Sequence, residues 1–154
     1  MTPAVSIITC AYNRPTMLVE AIASMRAQTR GDYEHLIVDA GSTDPAVGNV
    51  IQQATVKDPR VRSFRHERNV DQPARYWNEL IDQARGRYIG FLDDDNHKFP
   101  TWIEKLSAVL DMRPDVDVVT CGFVARFADG HSEENHLNLR TAEFILERNT
   151  VDTG

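Results

Sequence analysis

The chain has 154 residues, 42% hydrophobic and 26% charged, which suits a soluble globular protein of one domain with a sizeable core. Its formal net charge of -6 excludes the basic footprint of a nucleic-acid binder or of a protein that adheres to anionic lipid. No apolar run approaches the roughly 20 residues of a transmembrane helix, and Met1-Thr2-Pro3-Ala4 does not open a signal peptide, so a cytoplasmic location is expected.

Strands and helices alternate along the chain. Residues 5–9 are short and β-branched, as a buried strand should be. Cys10, in apolar surroundings, is expected to be a reduced, buried thiol. Residues 11–14 read as a loop, and Pro15 suits a helix start, with Leu18, Ile22 and Met25 at helical spacing to about Gln28. A second strand, residues 35–38, runs into the turn cluster Asp39-Ala40-Gly41-Ser42-Thr43-Asp44-Pro45. A helix is expected over 46–54 and a half-exposed strand over 61–65. Tyr76, Leu80, Ile81 and Ala84 mark the next helix, ended by Gly86. Residues 88–92 are the most apolar strand candidate, read as buried, and Asp93-Asp94-Asp95-Asn96 follows at once. Pro100 and Thr101 open a helix with Trp102, Leu106 and Leu110 on one face. Residues 116–120 suggest a further strand, and Cys121, the second cysteine, is expected to be buried beside it. Residues 123–127 and 131–133 read as a hairpin across an Asp129-Gly130 turn, with His131 and His136 exposed. A short helix is expected over 140–148. No repeat, low-complexity tract or linker interrupts the pattern, so one α/β domain over 1–154 is expected, with a mainly parallel sheet flanked by helices.

Ligands of open α/β sheets bind beyond the carboxyl ends of the strands. Three polar clusters fall at such ends: residues 9–14, 39–44 and 93–96. Successive carboxylates after an apolar strand repel one another. Two such charges ~6 Å apart cost roughly 3 kcal/mol at an effective dielectric of ~20. A divalent cation relieves that cost, and hard oxygen ligands favour Mg2+ or Mn2+ at Asp93 and Asp95. A solvated acidic loop is the alternative for any isolated triplet.

Asp39 can accept from a nucleobase N–H or a ribose hydroxyl, or it can organise an Asx-turn. Thr9, Tyr12 and Asn13 open the first cluster, where Tyr12 offers an aromatic face and Asn13 a side-chain amide. Arg75, Arg14 and His97 are candidates for a diphosphate, although Arg75 better suits a surface position on its helix. The five histidines show no zinc spacing. There is no Walker A sequence, no G-x-G-x-x-G after the first strand and no G-x-S-x-G elbow. These absences count against a P-loop NTPase, a dinucleotide oxidoreductase and an α/β-hydrolase.

Several segments in order resemble family 2 glycosyltransferases, which have the GT-A fold. They are residues 5–15, Ser24-Met25-Arg26-Ala27-Gln28-Thr29, Val38-Asp39-Ala40-Gly41-Ser42-Thr43-Asp44, Asp58-Pro59-Arg60-Val61-Arg62, 78–86 and 88–96. The resemblance implies an inverting transferase that uses a nucleoside-diphosphate sugar and a divalent metal to glycosylate a hydroxyl on a glycan, lipid or small-molecule acceptor. It places Asp39 and the Tyr12 loop at the nucleoside, Asp94 toward the ribose and diphosphate, and Asp95 on the metal, with Asp93 closing a DxD motif.

Two departures stand out. Many members carry a second acid after Asp39, where this chain has Ala40, so a uridine preference does not carry over. The family's catalytic base lies in a later, acceptor-side segment. The sequence stops at Gly154 in a stretch that resembles the entry to it, and Asp152, the last acid, does not match the base motif, so a chain truncated before that segment is expected. The expectation is therefore a donor-binding portion that lacks the base and transfers sugar weakly by itself. Two alternatives are a non-catalytic nucleotide-sugar-binding module and a sugar nucleotidyltransferase. The second would want a Gly-rich basic loop after the first strand, which residues 10–15 lack.

Overall fold

A computed structural model describes residues 2–127 and 129–135. The chain divides into two compact units, Met1–Ala108 and Val109–Gly154. The first is built on four parallel strands: β1 (Val5–Ala11), β2 (Tyr33–Asp39), β3 (Val61–Arg65) and β4 (Tyr88–Phe91), in the order β3-β2-β1-β4. Helices α1 (Pro15–Arg26), α2 (Pro45–Lys57) and α3 (Pro73–Gln83) connect them, each opening on a proline whose missing N–H costs nothing in the first turn. Asp44 caps α2, its carboxylate accepting from the Ala46 amide at 2.8 Å. Helix α4 (Trp102–Met112) follows β4. Among the described residues, no helix is long and apolar enough to cross a membrane.

The period-2 pattern sorts each central strand between two cores. Ala11 and Ile37 pack with Leu18 and Ile22 of α1 and Val47 and Ile51 of α2. Val5, Ile7 and Tyr33 extend that face with Ala21, Met25, Leu92 and Ile103. Ile8, Leu36 and Val38 point the other way, onto Tyr76 and Leu80 of α3. Each fully buried aliphatic side chain is worth about 1.5–3 kcal/mol. Strands β1 to β3 extend the sheet one way with α1 and α2 on one face. The chain then returns past β1 to lay down β4, with α3 on the other face. That reversal is a topological switch point, and it falls between β1 and β4.

β2 is buried along its whole length, including His35. The His35 Nε2 lies 2.9 Å from the Thr9 hydroxyl, while Nδ1 is buried without a partner. An unpaired acceptor is cheaper than an unpaired donor, so Nε2–H donates to Thr9 and the ring stays neutral. Burial pushes its pKa down from 6.5 to about 4, only partly offset by the Asp58 charge. Between those values the unfolded chain takes up a proton that the folded chain refuses, so stability is lost as pH falls through that window. Chemical denaturation of wild type and His35→Val from pH 7 to 4 checks this. The wild type should lose up to about 3 kcal/mol more than the variant over that range. Parallel pH slopes would show that His35 is not the group responsible.

Several expectations need correction. Residues 116–120 form no strand: Asp117 interrupts the run and Val118 is exposed. Cys121 beside it is exposed, and Cys10 is only partly buried, although both are free thiols as expected. β4 is not a buried strand. It pairs only with β1 among the described residues, which leaves Ile89 and Phe91 exposed. In the second unit, β5 (Phe123–Arg126) and β6 (Ser132–Asn135) form the expected antiparallel hairpin. Gly130 takes φ +90° in its turn, and His131 is exposed. The expected helix over 140–148 and His136 lie outside the described residues.

Candidate functional site

A cleft of about 650 Å³ opens at the carboxyl edge of the sheet, beside the switch point. Cys10, Tyr12, Asn13 and Arg14 line it from the end of β1, Ala40 from the end of β2, and Asp93, Asp94 and Asp95 from the end of β4. The three clusters distant in sequence therefore converge.

The acidic loop is held from the β1 side. Asp94 is buried, and its Oδ2 accepts from the Tyr12 amide at 3.1 Å. Arg14 Nη1 lies 3.2 Å from Asp94 Oδ1 and 2.5 Å from Asp95 Oδ2. Burial pushes the Asp94 carboxyl up. The Tyr12 amide and Arg14 oppose that shift, while Asp95 and Asp93 add to it. Asp93 is exposed and accepts from the Asn96 side-chain amide at 3.1 Å.

Beyond the acids, the chain runs back along α1 and is fastened there. Ser24 Oγ accepts from the Lys98 amide, and the Gln28 carboxamide joins Ser24 and Phe99 carbonyls to the Ile103 amide. The run Ser24-Met25-Arg26-Ala27-Gln28-Thr29 is thus a clasp for the segment that follows the acidic loop.

Asp39 is buried beside Ala40 and is not itself part of the cleft lining; its two oxygens differ. Oδ1 accepts from the Ser42 amide at 2.8 Å and organises the turn. Oδ2 is buried without a hydrogen-bond partner, the Arg65 guanidinium standing 3.4 Å away in a loose ion pair. A buried acceptor left open is costly, and a ligand N–H or hydroxyl would relieve that cost. Asn13, with φ 53°, lines the cleft, yet its Oδ1 is already used by the Thr43 and Asp44 amides. It ties the first cluster to the second. Tyr12 is partly exposed in the cleft, as an aromatic platform must be.

Four candidates do not line the cleft: Thr9, Asp39, Arg75 and His97. Thr9 is fully buried against His35, because odd-numbered β1 residues face α1 and α2. Arg75 is exposed on the first turn of α3 and does not line the cleft. His97 is exposed as well and lies outside the lining.

Sequence reasoning missed the third wall, formed by Asn69, Asp71 and Gln72 before α3 and by Tyr76 and Trp77 within it. The signal was present: a polar run after β3 and before Pro73, at the same sheet edge as the other clusters. Tyr76 Oη accepts from the Val70 amide at 3.0 Å and holds this loop. Gly41, at φ +81°, lies so close beneath it that a Cβ would come within 2.4 Å of the Arg68 carbonyl carbon.

The described residues hold no group of three or more histidine, cysteine or acidic side chains arranged to bind a metal. Asp93 and Asp95 nevertheless present exposed carboxylates on the cleft. Such a set fits a hard cation that takes most of its oxygens from phosphate and water, as Mg2+ commonly does.

Comparison with known proteins agrees with this geometry. An uncharacterised protein of Sinorhizobium fredii is 37% identical over 118 residues, covering 76% of this chain and 13% of that protein. The uncharacterised glycosyltransferase EpsJ of Bacillus subtilis is 33% identical, covering 84% of this chain and 36% of its own. The chain thus spans well under half the length of these relatives. Among solved structures, S. aureus TarS in complex with UDP-GlcNAc superimposes with a TM-score of 0.66 at 19% identity, covering 82% of this chain and 41% of TarS. The mannosyltransferase PcManGT of Pyrobaculum calidifontis, solved with GDP-Man and Mn2+, gives 0.56 at 20% identity, covering 63% and 29%. Both share the GT-A fold. The sequence pattern of glycosyl transferase family 2 matches residues 6–153, and the chain belongs to that family.

Proposed function

We propose that residues 1–154 are the donor-binding portion of an inverting glycosyltransferase that takes a nucleoside-diphosphate sugar together with Mn2+ or Mg2+. The carrying observation is the convergence of Tyr12, Ala40 and Asp94, from the ends of three different strands, on one cleft at the switch point of the sheet. The relatives add support. A Campylobacter jejuni protein 33% identical over 94 residues, covering 61% of this chain and 30% of its own, is a β-1,3-glucosyltransferase acting on an undecaprenol-linked glycan. The two solved structures hold UDP-GlcNAc and GDP-Man with Mn2+.

In this reading Asp39 Oδ2 accepts from the nucleoside, and Tyr12 gives the base or ribose an apolar face. Asp94 is kept in place by the Tyr12 amide and turned toward the ribose and diphosphate. Asp95, with Asp93 beside it, would hold the metal, which would neutralise charge on the departing diphosphate. The cleft walls exclude water from one side of the donor. A cytoplasmic setting is part of this reading.

Calorimetric titration with UDP, GDP and dTDP, each with Mn2+ and with chelator, tests the reading. One of them should bind in Mn2+ with a dissociation constant on the order of 10–100 μM, about 5.5–7 kcal/mol, and at least about tenfold more weakly in chelator. No binding of any of the three in Mn2+ would sink it. Sugar transfer to a panel of acceptors, compared with a longer relative, separates an enzyme from a binding module.

A further inference from the structure

Arg14 brings charge into the acidic loop from outside it. It lies between β1 and α1, and a single nitrogen of its guanidinium is shared by Asp94 Oδ1 at 3.2 Å and Asp95 Oδ2 at 2.5 Å. Asp94 is nearly closed to solvent, whereas the side chains of Arg14 and Asp95 are 51% and 40% exposed. The loop therefore carries its own cation. Arg14 cannot shed its charge at any working pH, because guanidinium stays protonated in proteins. A divalent ion that takes an oxygen of Asp95 would meet this guanidinium on the same carboxylate, and like charges at such separations repel strongly. The Arg14 side chain is long, outside the core and on the wall of the cleft, so it is free to turn away. The partner that suits it best there is a phosphate group, which a guanidinium grips with paired hydrogen bonds.

We propose that Arg14 is an exchangeable internal counter-ion. It pairs with Asp94 and Asp95 in the unloaded protein, gives up Asp95 to the divalent ion, and pairs with the donor's diphosphate instead. This inference rests on the donor-binding reading above and deepens it. It implies an order of preference in loading. Metal alone must compete with a guanidinium that has nowhere else to go, so it binds weakly. Metal together with a nucleoside diphosphate gives Arg14 a new partner and binds well. Arg14 thereby couples metal binding to nucleotide binding and disfavours metal held without donor.

The experiment measures Mn2+ alone, from the electron paramagnetic resonance signal of the free ion, on wild type, Arg14→Gln and Arg14→Lys. UDP and GDP are then titrated into each protein in saturating Mn2+. Arg14→Gln should bind Mn2+ alone at least about tenfold more tightly than wild type, about 1.4 kcal/mol. The same variant should bind the preferred nucleotide in Mn2+ about tenfold more weakly. Arg14→Lys, which keeps the charge, should stay within about threefold of wild type for Mn2+ alone. Unchanged or weaker Mn2+ binding in Arg14→Gln, in a wild type that does show manganese-dependent nucleotide binding, overturns the counter-ion role and leaves the donor-binding reading standing. If no protein shows manganese-dependent nucleotide binding, the donor-binding reading fails and this inference with it.

Discussion

Replacing Asp95 with alanine is expected to weaken nucleoside-diphosphate binding in Mn2+ by about 100-fold, roughly 2.7 kcal/mol, and to change binding in chelator by no more than about twofold. Asp95 carries this effect because its carboxylate is the one that Arg14 would release to the metal. Asp93 already accepts from the Asn96 amide. Asp94, also acidic, is buried and bound to the Tyr12 amide. A hard cation that leans on few protein oxygens loses most of its hold when the best of them is removed. The Asp93→Ala change should therefore cost less, about tenfold in Mn2+. Calorimetry with the preferred nucleotide, in Mn2+ and in chelator, checks both variants. If Asp95→Ala loses affinity equally in the two conditions, its carboxylate acts on the nucleotide directly and not through a metal.

The second large effect is expected from Gly41→Ala. The residue sits at φ +81°, a region L side chains rarely occupy, and its added Cβ would lie 2.4 Å from the Arg68 carbonyl carbon and 2.5 Å from the Asn69 nitrogen. Both are main-chain atoms, so no rotamer change relieves the overlap. The strain and the overlap together should cost about 3 kcal/mol, near 10 °C in melting temperature for a chain of this size. The loop that must move carries Asn69, a wall residue of the cleft, so nucleotide affinity should fall as well. Gly130→Ala is the control. It has φ +90° with nothing within 4 Å of its added Cβ, so it should cost only the backbone term, about 1 kcal/mol. Equal melting shifts for the two substitutions would mean that the contact with residues 68 and 69 does not matter.

The parts of the fold that could be read from sequence were those set by local periodicity. The apolar spacing of Leu18, Ile22 and Met25 and the β-branched run at β1 state their own partners, because each needs only one buried face or two. What could not be read depends on which neighbour arrives. The run 88–92 looks like a central strand, but burial of Ile89 and Phe91 requires a ladder on the far side of β4, and none of the described residues supplies it. The run 116–120 is broken by Asp117 and leaves Val118 exposed, so its apolar residues do not add up to a strand.

At the candidate site, the loops were legible but not the direction of individual side chains. Thr9 and Cys10 are adjacent, and a one-residue step in a strand reverses the face. Cys10 therefore reaches the cleft, while Thr9 goes to His35. The pairing of Arg14 with Asp94 and Asp95 spans 80 residues or more, and no local pattern announces it.

The clasp around Ser24 and Gln28 has a consequence for the length of α1. Arg14, just before the helix, engages the start of the acidic segment, and Gln28, just after it, engages the end. Twelve residues of helix, about 18 Å, thus act as a ruler between two fixed points on another stretch of chain. Adding one residue inside α1 would turn everything beyond it by about 100° and shift it about 1.5 Å along the axis. Leu18 and Met25 could not then both face the sheet, and Arg14 and Gln28 could not both meet their partners. The length of α1 therefore cannot change by single residues. Divergence along α1 is thereby confined to substitution.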